Sequence, residues 1–236
     1  MGHIGETKLS DELIMNENRE MDIKEINKKI YSMILPITIE GTLQMVAGIV
    51  MMGMIGRIDV LAVSALGVSL RITQIIWALF KGITTGATVY VSQYFGGNER
   101  KKMIHVIQQT IISTIIVVVV LQAIVYTQAE NLLAMFDPSQ ELLKMAAIYI
   151  KTVSFGLPFL AIMLVVGGVL QGMGNAKTPM MITMIMNIVN IIIGYILIFG
   201  KLGFEPMGIT GIAIATAISQ LVAAILGLYV LLSKNG

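Results

Sequence analysis

Cysteine is absent from this sequence of 236 residues, and histidine occurs only twice, at His3 and His105. The absence of thiols excludes disulfides, zinc–thiolate sites and catalytic cysteines. One histidine lies in the N-terminal segment and the other near the predicted edge of a membrane, so we expect no metal site. No glycine-rich phosphate loop follows a strand, and no catalytic set of side chains is visible. The sequence therefore indicates neither an enzyme nor an ATP-driven pump, and no organic cofactor is expected.

Charged residues are also scarce. They make up 13% of the chain, whereas a soluble domain carries about a quarter. The net charge of +2 gives no indication of nucleic-acid binding, and we expect none. Hydrophobic residues instead reach 56%, with a mean hydropathy of +0.84. This composition supplies enough apolar sequence for several membrane spans of about 20 residues each.

The apolar residues form six continuous segments, at about residues 31–55, 60–95, 103–127, 142–170, 179–199 and 207–232. Strands of outer-membrane proteins are only about 10 residues long and alternate in polarity, so a strand interpretation fails. We predict an all-α fold, a polytopic membrane helix bundle of about six transmembrane helices that forms one lobe over residues 31–236. Its partner environment is the lipid bilayer.

Residues 1–30 form a polar N-terminal tail without the apolar core and cleavage site of a signal peptide. We expect this tail to be disordered at first, with an interfacial helix over residues 23–30. Ten Lys and Arg residues lie in this tail, in the loops after the second and fourth spans and in the C-terminal tail, whereas the other loops carry only Arg57, Lys144 and Lys201. Since cytoplasmic loops are enriched in Lys and Arg, we predict a multi-pass protein of the cytoplasmic membrane with both termini in the cytoplasm.

Ionisable residues inside the spans are the first candidates for function, because a charge in hydrocarbon is costly unless it is paired or faces water. Glu40 lies in the first span and Lys81 near the middle of the second, at similar depth in antiparallel helices. We expect both to face the same interior, either as a structural ion pair or as the lining of an aqueous cavity. Gln44 of the first span is a further candidate for a substrate or ion pathway.

Other residues indicate structure more than chemistry. Gly82 and Gly86 form a small-xxx-small pattern that allows two helices to approach closely. Pro36 and Pro158 lie inside spans and favour kinks, and Thr178-Pro179 is typical of a helix start with Thr178 as N-cap. The amides of Asn187 and Asn190 in the fifth span are expected to bond other helices or to line a cavity.

Four stretches resemble the multidrug and toxic compound extrusion (MATE) transporters over about residues 30–232. They are Leu35-Pro36 through Gln44 to Ile55-Gly56-Arg57; Gly82 through Gly86 and Gln93 to Gly97 with the basic residues 100–102; Leu170-Gln171-Gly172-Met173-Gly174 to Thr178-Pro179; and Asn187 and Asn190 followed by Ile198-Phe199-Gly200 and residues 208–216.

The resemblance implies a cation-coupled antiporter, driven by Na⁺ or H⁺, that exports drugs and organic cations by alternating access. It also implies twelve spans in two lobes, so this chain is similar to the N-terminal lobe, and its partner is a missing second six-helix lobe or a second copy. Asn190 and Thr216 match polar positions that flank the family's cation site.

The sequence departs from the family pattern at two acidic positions. The position of an aspartate in the first span is occupied by Met51, and that of an aspartate in the fifth span by Gly194. Coupling then rests on Glu40, on the second lobe, or is lost. Two alternatives stay open: a flippase for a lipid-linked saccharide, as in related families, and a truncated half that does not transport.

Overall fold

The computed structural model describes the backbone of residues 3–233 and the side chains of residues 23–233. Over this range the chain forms seven helices: α1 (His3–Ile55), α2 (Val60–Gly96), α3 (Arg100–Ala134), α4 (Gln140–Ser154), α5 (Leu157–Gly172), α6 (Lys177–Phe199) and α7 (Gly208–Ser233). Five are long and apolar enough to cross a membrane by themselves, and α4 with α5 gives a sixth traverse if the bent pair is one span. The predicted all-α bundle of about six spans is confirmed.

The fourth predicted span, residues 142–170, is not one helix. It is divided into α4 and α5, which are bent by 54° at a short break. Pro158 lacks an N–H and lies in the first turn of α5, where that loss is tolerated. A Cβ atom on Gly156 would lie 2.3 Å from Oε1 of Gln220 and 3.1 Å from Cα of Ala217. The close packing of α7 against the break therefore requires glycine.

The first helix is longer than the predicted first span. α1 continues from His3 to Ile55 without a break, and Pro36 lies inside it. The expected disorder at the start of the chain is therefore wrong for the backbone from His3 onward. Glu, Lys, Met, Leu and Ile are frequent in this segment, and most of them are good helix formers. Residues 1–2 and 234–236 of the predicted tail and lobe lie outside the described residues.

The helices are not packed evenly. α6 packs against α1 and α7, while α2 packs against α3, α4 and α5. Contact between α1 and α2 is slight, and α1 is the least buried of the long apolar helices. The main apolar core includes residues of all seven helices, but the buried residues that α1 contributes to it are Met51 and Ile55 at its C-terminal end.

The close helix approach expected at Gly82 and Gly86 occurs elsewhere. Neither glycine has an atom of a neighbouring helix within 4 Å of where its Cβ would lie. A Cβ on Gly168 of α5 would instead lie 2.2 Å from Thr84 Cγ2, and one on Gly172 would lie 2.8 Å from the carbonyl oxygen of Thr88. α2 thus packs on α5 through Thr84 and Thr88, while Gly82 and Gly86 are exposed.

The turn between α5 and α6 corrects one predicted helix cap. α6 begins at Lys177, before Thr178. The backbone N–H of Thr178 donates to Oδ1 of Asn175 at 3.2 Å, so Asn175, and not Thr178, accepts a free N–H of the first turn. Gly174 adopts a φ of +81° in this turn, which glycine allows without strain. Pro179 is buried in the first turn of α6.

Candidate functional site

One small cavity brings together the two ionisable residues of the first two spans. Glu40 of α1 and Lys81 of α2 both line it, and α5, α6 and α7 supply the remaining wall. The cavity has a volume of about 20 Å³, enough for about one water molecule. The wall residues from α5, α6 and α7 are uncharged, and Gln171 and Thr183 are the polar side chains among them.

Hydrogen bonds fix the carboxylate of Glu40 between two helices. The hydroxyl of Thr183 on α6 donates to Oε1 of Glu40 at 3.3 Å. The side-chain amide of Gln171 on α5 donates to Oε2 at 3.3 Å. Each carboxylate oxygen therefore has one neutral donor, which orients the group but leaves its negative charge uncompensated.

Lys81 lies beside Glu40 without forming an ion pair with it. Lys102–Glu99 and Lys151–Glu130 are ion pairs with nitrogen and oxygen within 4.0 Å, whereas Lys81 and Glu40, both among the described residues, do not approach this closely. The ammonium of Lys81 interacts electrostatically with Glu40, but it lies 5.7 Å from the ring centroid of Trp77. That distance permits a cation–π interaction. Trp77 and Lys81 are four residues apart on α2, so they share one face of the helix.

α1 and α6 run parallel, with the same residue offset at two contacts. Glu40 and Thr183 are 143 positions apart, and the contact between Met51 and Gly194 has the same separation. The two contacts are about 16 Å apart at 1.5 Å per helical residue. The same offset places Gln44 at the level of Asn187.

The amides of Asn187 and Asn190 lie on α6 between these two contacts. Asn187 is 6% exposed. Its Nδ2 atom and the Oδ1 atom of Asn190 are buried and have no hydrogen-bond partner among the described residues. The interhelical hydrogen bonds that sequence reasoning favoured for these atoms are therefore not formed. Buried amide atoms of this kind are ordinarily satisfied by water or by a bound group.

Apolar packing occupies the two positions at which the family resemblance places aspartates. Met51 is 4% exposed, and a Cβ on Gly194 would lie 2.5 Å from Cε and 2.9 Å from Sδ of Met51. The methionine side chain fills the space left by the missing side chain of Gly194. Neither residue can provide a charge to a cation.

The remaining candidates are not all in one place. Gln44 is half-buried on α1 and Thr216 is half-buried on α7; neither lines the cavity around Glu40. Gln93 is exposed near the end of α2, where its carbonyl oxygen accepts the N–H of Gly97. Within the described side chains, no group of three or more His, Asp or Glu residues is close enough to hold a metal ion.

Three contributors to the site were missed by sequence reasoning: Gln171, Thr183 and Trp77. The four-residue spacing of Trp77 and Lys81 was a visible signal for their contact. Thr183 carried no such signal, because a lone threonine in an apolar helix commonly donates to its own backbone.

The sequence is similar to a family of transport proteins. The model of the MatE family matches residues 36–196. The chain is 30% identical over 225 residues to a probable multidrug resistance protein NorM of Thermotoga maritima, covering 94% of this chain and 48% of that protein. It is 32% identical over 197 residues to the uncharacterized transporter YisQ of Bacillus subtilis, covering 83% of this chain and 43% of that protein.

Solved structures show the same fold. A crystal structure described as MATE in the bent conformation superimposes with a TM-score of 0.82 at 22% identity, over 89% of this chain and 46% of that one. The outward-facing conformation of a multidrug resistance MATE family transporter of the MOP superfamily gives the same score over 88% and 45%. The chain spans about half the length of the curated relatives it matches.

Proposed function

The chain belongs to the MATE family of multi-pass membrane transporters, and we propose that it is one lobe of a transporter that exports drugs or organic cations in exchange for a coupling ion. The names of two relatives as multidrug resistance proteins support this substrate class. Glu40 is the proposed coupling group, in place of the family aspartates. The observation that carries this role is the half-buried carboxylate held between Thr183 and Gln171 in a cavity that also contains Lys81.

The exposed surface of α2 supports a second lobe. This exposed surface is mixed. Large apolar residues such as Ile75, Leu79, Val89 and Tyr90 lie there together with polar or small ones, which are less favourable in contact with lipid tails: Gln74, Gly82, Thr85, Gly86, Ser92 and Gln93. The exposed surface of α1 is mixed in the same way, with Gly41, Thr42 and Gly48 beside Met45, Val46 and Ile49. We assign the combined surface, here named the α1–α2 face, to contact with another lobe or with an aqueous cleft.

α3 provides the contrast. Most of its exposed residues in the middle of the helix are large and apolar, among them Ile112, Ile115, Ile116, Val119 and Val120, and exposed Ser113 donates its hydroxyl back to the helix. A face of this composition suits the lipid bilayer. The difference between α3 and the α1–α2 face supports a half-transporter arrangement, in which a second six-helix lobe or a second copy covers only one side of the bundle.

The proposed function is tested by efflux of ethidium from cells that contain the native protein in its full length. Glu40→Gln removes the charge and nearly conserves the volume, so we expect active efflux to fall to the level of cells without the protein. Glu25→Gln is the matched control, because Glu25 is an exposed glutamate of the same helix outside the cavity. Efflux that is unchanged in the Glu40→Gln variant would exclude Glu40 as the coupling group.

A further inference from the structure

The ammonium group of Lys81 has two binding positions within the reach of one side chain. It lies over the ring of Trp77 at 5.7 Å, and the cavity that it lines also contains the carboxylate of Glu40. An aromatic face attracts a cation through its quadrupole, whereas a carboxylate attracts it through a full charge. The choice between the two positions therefore depends on whether Glu40 carries its charge.

No other charged side chain that lines the cavity competes with Lys81 for the carboxylate of Glu40. The elements packed around Glu40 are α2, α5, α6 and α7. Lys81 is the titratable side chain that α2 turns toward it. The segments 157–172 and 208–233 contain no charged residue, and the single one within α6 is Lys177 at its first position. Thr183 and Gln171 offer Glu40 neutral donors only, so compensation of its charge falls to Lys81.

We propose that Lys81 is a tethered counter-cation that exchanges between the carboxylate of Glu40 and the ring of Trp77, and that the ion displacing it is a proton. This inference rests on the proposed function, since it identifies the ion that Glu40 couples. When Glu40 is ionised, the ammonium pairs with it and the cavity has no net charge. When Glu40 takes up a proton, the ammonium moves to Trp77 and the cavity carries one positive charge. Lys81 keeps its own proton throughout.

A proton suits this cavity better than a metal cation. Hard cations are held by several oxygen ligands at once. Side-chain oxygens reach the cavity from Glu40, Gln171 and Thr183 alone, and the last two donate hydrogen bonds to the first. A volume of about 20 Å³ leaves room for about one water, and Lys81 repels any second cation. A proton on Glu40 needs neither space nor further ligands.

Fluorescence of Trp77 reports the position of Lys81 directly. Trp77 is the one tryptophan of the chain. The full-length native protein is reconstituted in liposomes, with any tryptophan outside this chain replaced by phenylalanine. We expect the emission of Trp77 to shift with pH in a single transition, because protonation of Glu40 sends the ammonium onto the ring. Addition of Na⁺ at constant pH and ionic strength should leave the emission unchanged.

Variants separate the exchange from a general effect of pH. Glu40→Gln keeps Lys81 on Trp77 and Lys81→Met removes the cation, so both should lose the pH-dependent shift. Lys81→Arg should retain it. Breaking a buried pair leaves one charge uncompensated, so Glu40→Gln/Lys81→Met, which removes both charges together, provides a variant that folds if either single one does not. It too should show no shift.

Two results overturn the exchange: no pH-dependent shift in the wild type, or a shift that persists in the double variant. A shift produced by Na⁺ at constant pH overturns the assignment of the proton. These outcomes are distinct from failure of the proposed function. That failure appears as absent ethidium efflux, or as efflux unaffected by Glu40→Gln, whereas the fluorescence is measured without any transported substrate.

Discussion

The side chain of Met51 on α1 fills the space where residue 194 on α6 would carry a side chain. A Cβ atom on Gly194 would lie 2.5 Å from Cε of Met51, so a side chain at position 194 would have to displace the flexible end of Met51. In this lobe the two positions that resemble the family's acidic pair form an apolar contact. The carboxylate of the predicted first span instead belongs to Glu40, about 16 Å away along the helix.

The contact predicts coupling between substitutions at these two positions. Gly194→Ala should lower the free energy of unfolding by about 1 kcal/mol, the low end of overpacking costs, because the added methyl must displace only the flexible end of Met51. The destabilisation by Gly194→Ala should be smaller in the Met51→Ala variant, because the shorter side chain at position 51 leaves room for the added methyl. Thermal unfolding of purified protein in detergent measures both effects.

Gly82→Ala is the matched control for this experiment. No atom of a neighbouring helix lies within 4 Å of the new methyl, and alanine is the better helix former. If Gly194→Ala lowers the free energy of unfolding equally in the wild type and in the Met51→Ala variant, the side chain of Met51 does not pack against position 194.

The contact between α2 and α5 predicts a contrast between two pairs of glycines. Gly168→Ala should be destabilising by roughly 1–3 kcal/mol, because its methyl would collide with Thr84 and Thr88. Gly86→Ala, one of the pair singled out from the sequence, should leave the melting temperature of the isolated lobe unchanged or slightly higher. If Gly86→Ala melts at a lower temperature than Gly168→Ala does, α2 packs through Gly82 and Gly86 instead.

The hydrogen bond from Thr183 to Glu40 predicts a requirement for a hydroxyl at position 183. Thr183→Val conserves shape but removes the donor to Oε1, and loss of a bond to a charged group costs about 1.5–3 kcal/mol. We expect reduced ethidium efflux in this variant and near-normal efflux in Thr183→Ser. If valine supports efflux as well as serine does, the hydroxyl has no part in holding Glu40.

Membrane orientation is testable because the chain has no cysteine of its own. Arg100→Cys should react with an impermeant maleimide only after the cytoplasmic side is opened, since the basic loop after α2 is predicted to be cytoplasmic. Lys201→Cys, in the exposed turn after α6, should react on intact cells. Any cysteines of the native protein outside this chain are first replaced by serine. Labelling of Arg100→Cys on intact cells would invert the predicted topology.

Much of the architecture was predictable because hydropathy acts locally. The bounds of the second, third, fifth and sixth predicted spans agree with α2, α3, α6 and α7 to within a few residues, except that α3 continues to Ala134. The fourth predicted span is present as the bent pair of α4 and α5 rather than as one helix. The packing of Gln220 close to Gly156 at this break joins residues far apart in the sequence, so local hydropathy does not indicate it. Proline at position 158 indicated a kink, but not the division into two helices.

The sequence by itself determined that the chain is a bundle of membrane helices with one acid and one lysine at its centre. Long apolar segments exclude other folds, and the cost of a charge in hydrocarbon singles out Glu40 and Lys81. Tertiary structure alone decided which neighbours these residues have: Thr183 and Gln171 at Glu40, Trp77 at Lys81, and Met51 against Gly194. Helical periodicity defines the faces of each helix, but which faces meet, and in what register, depends on how side chains from distant segments fill a common space.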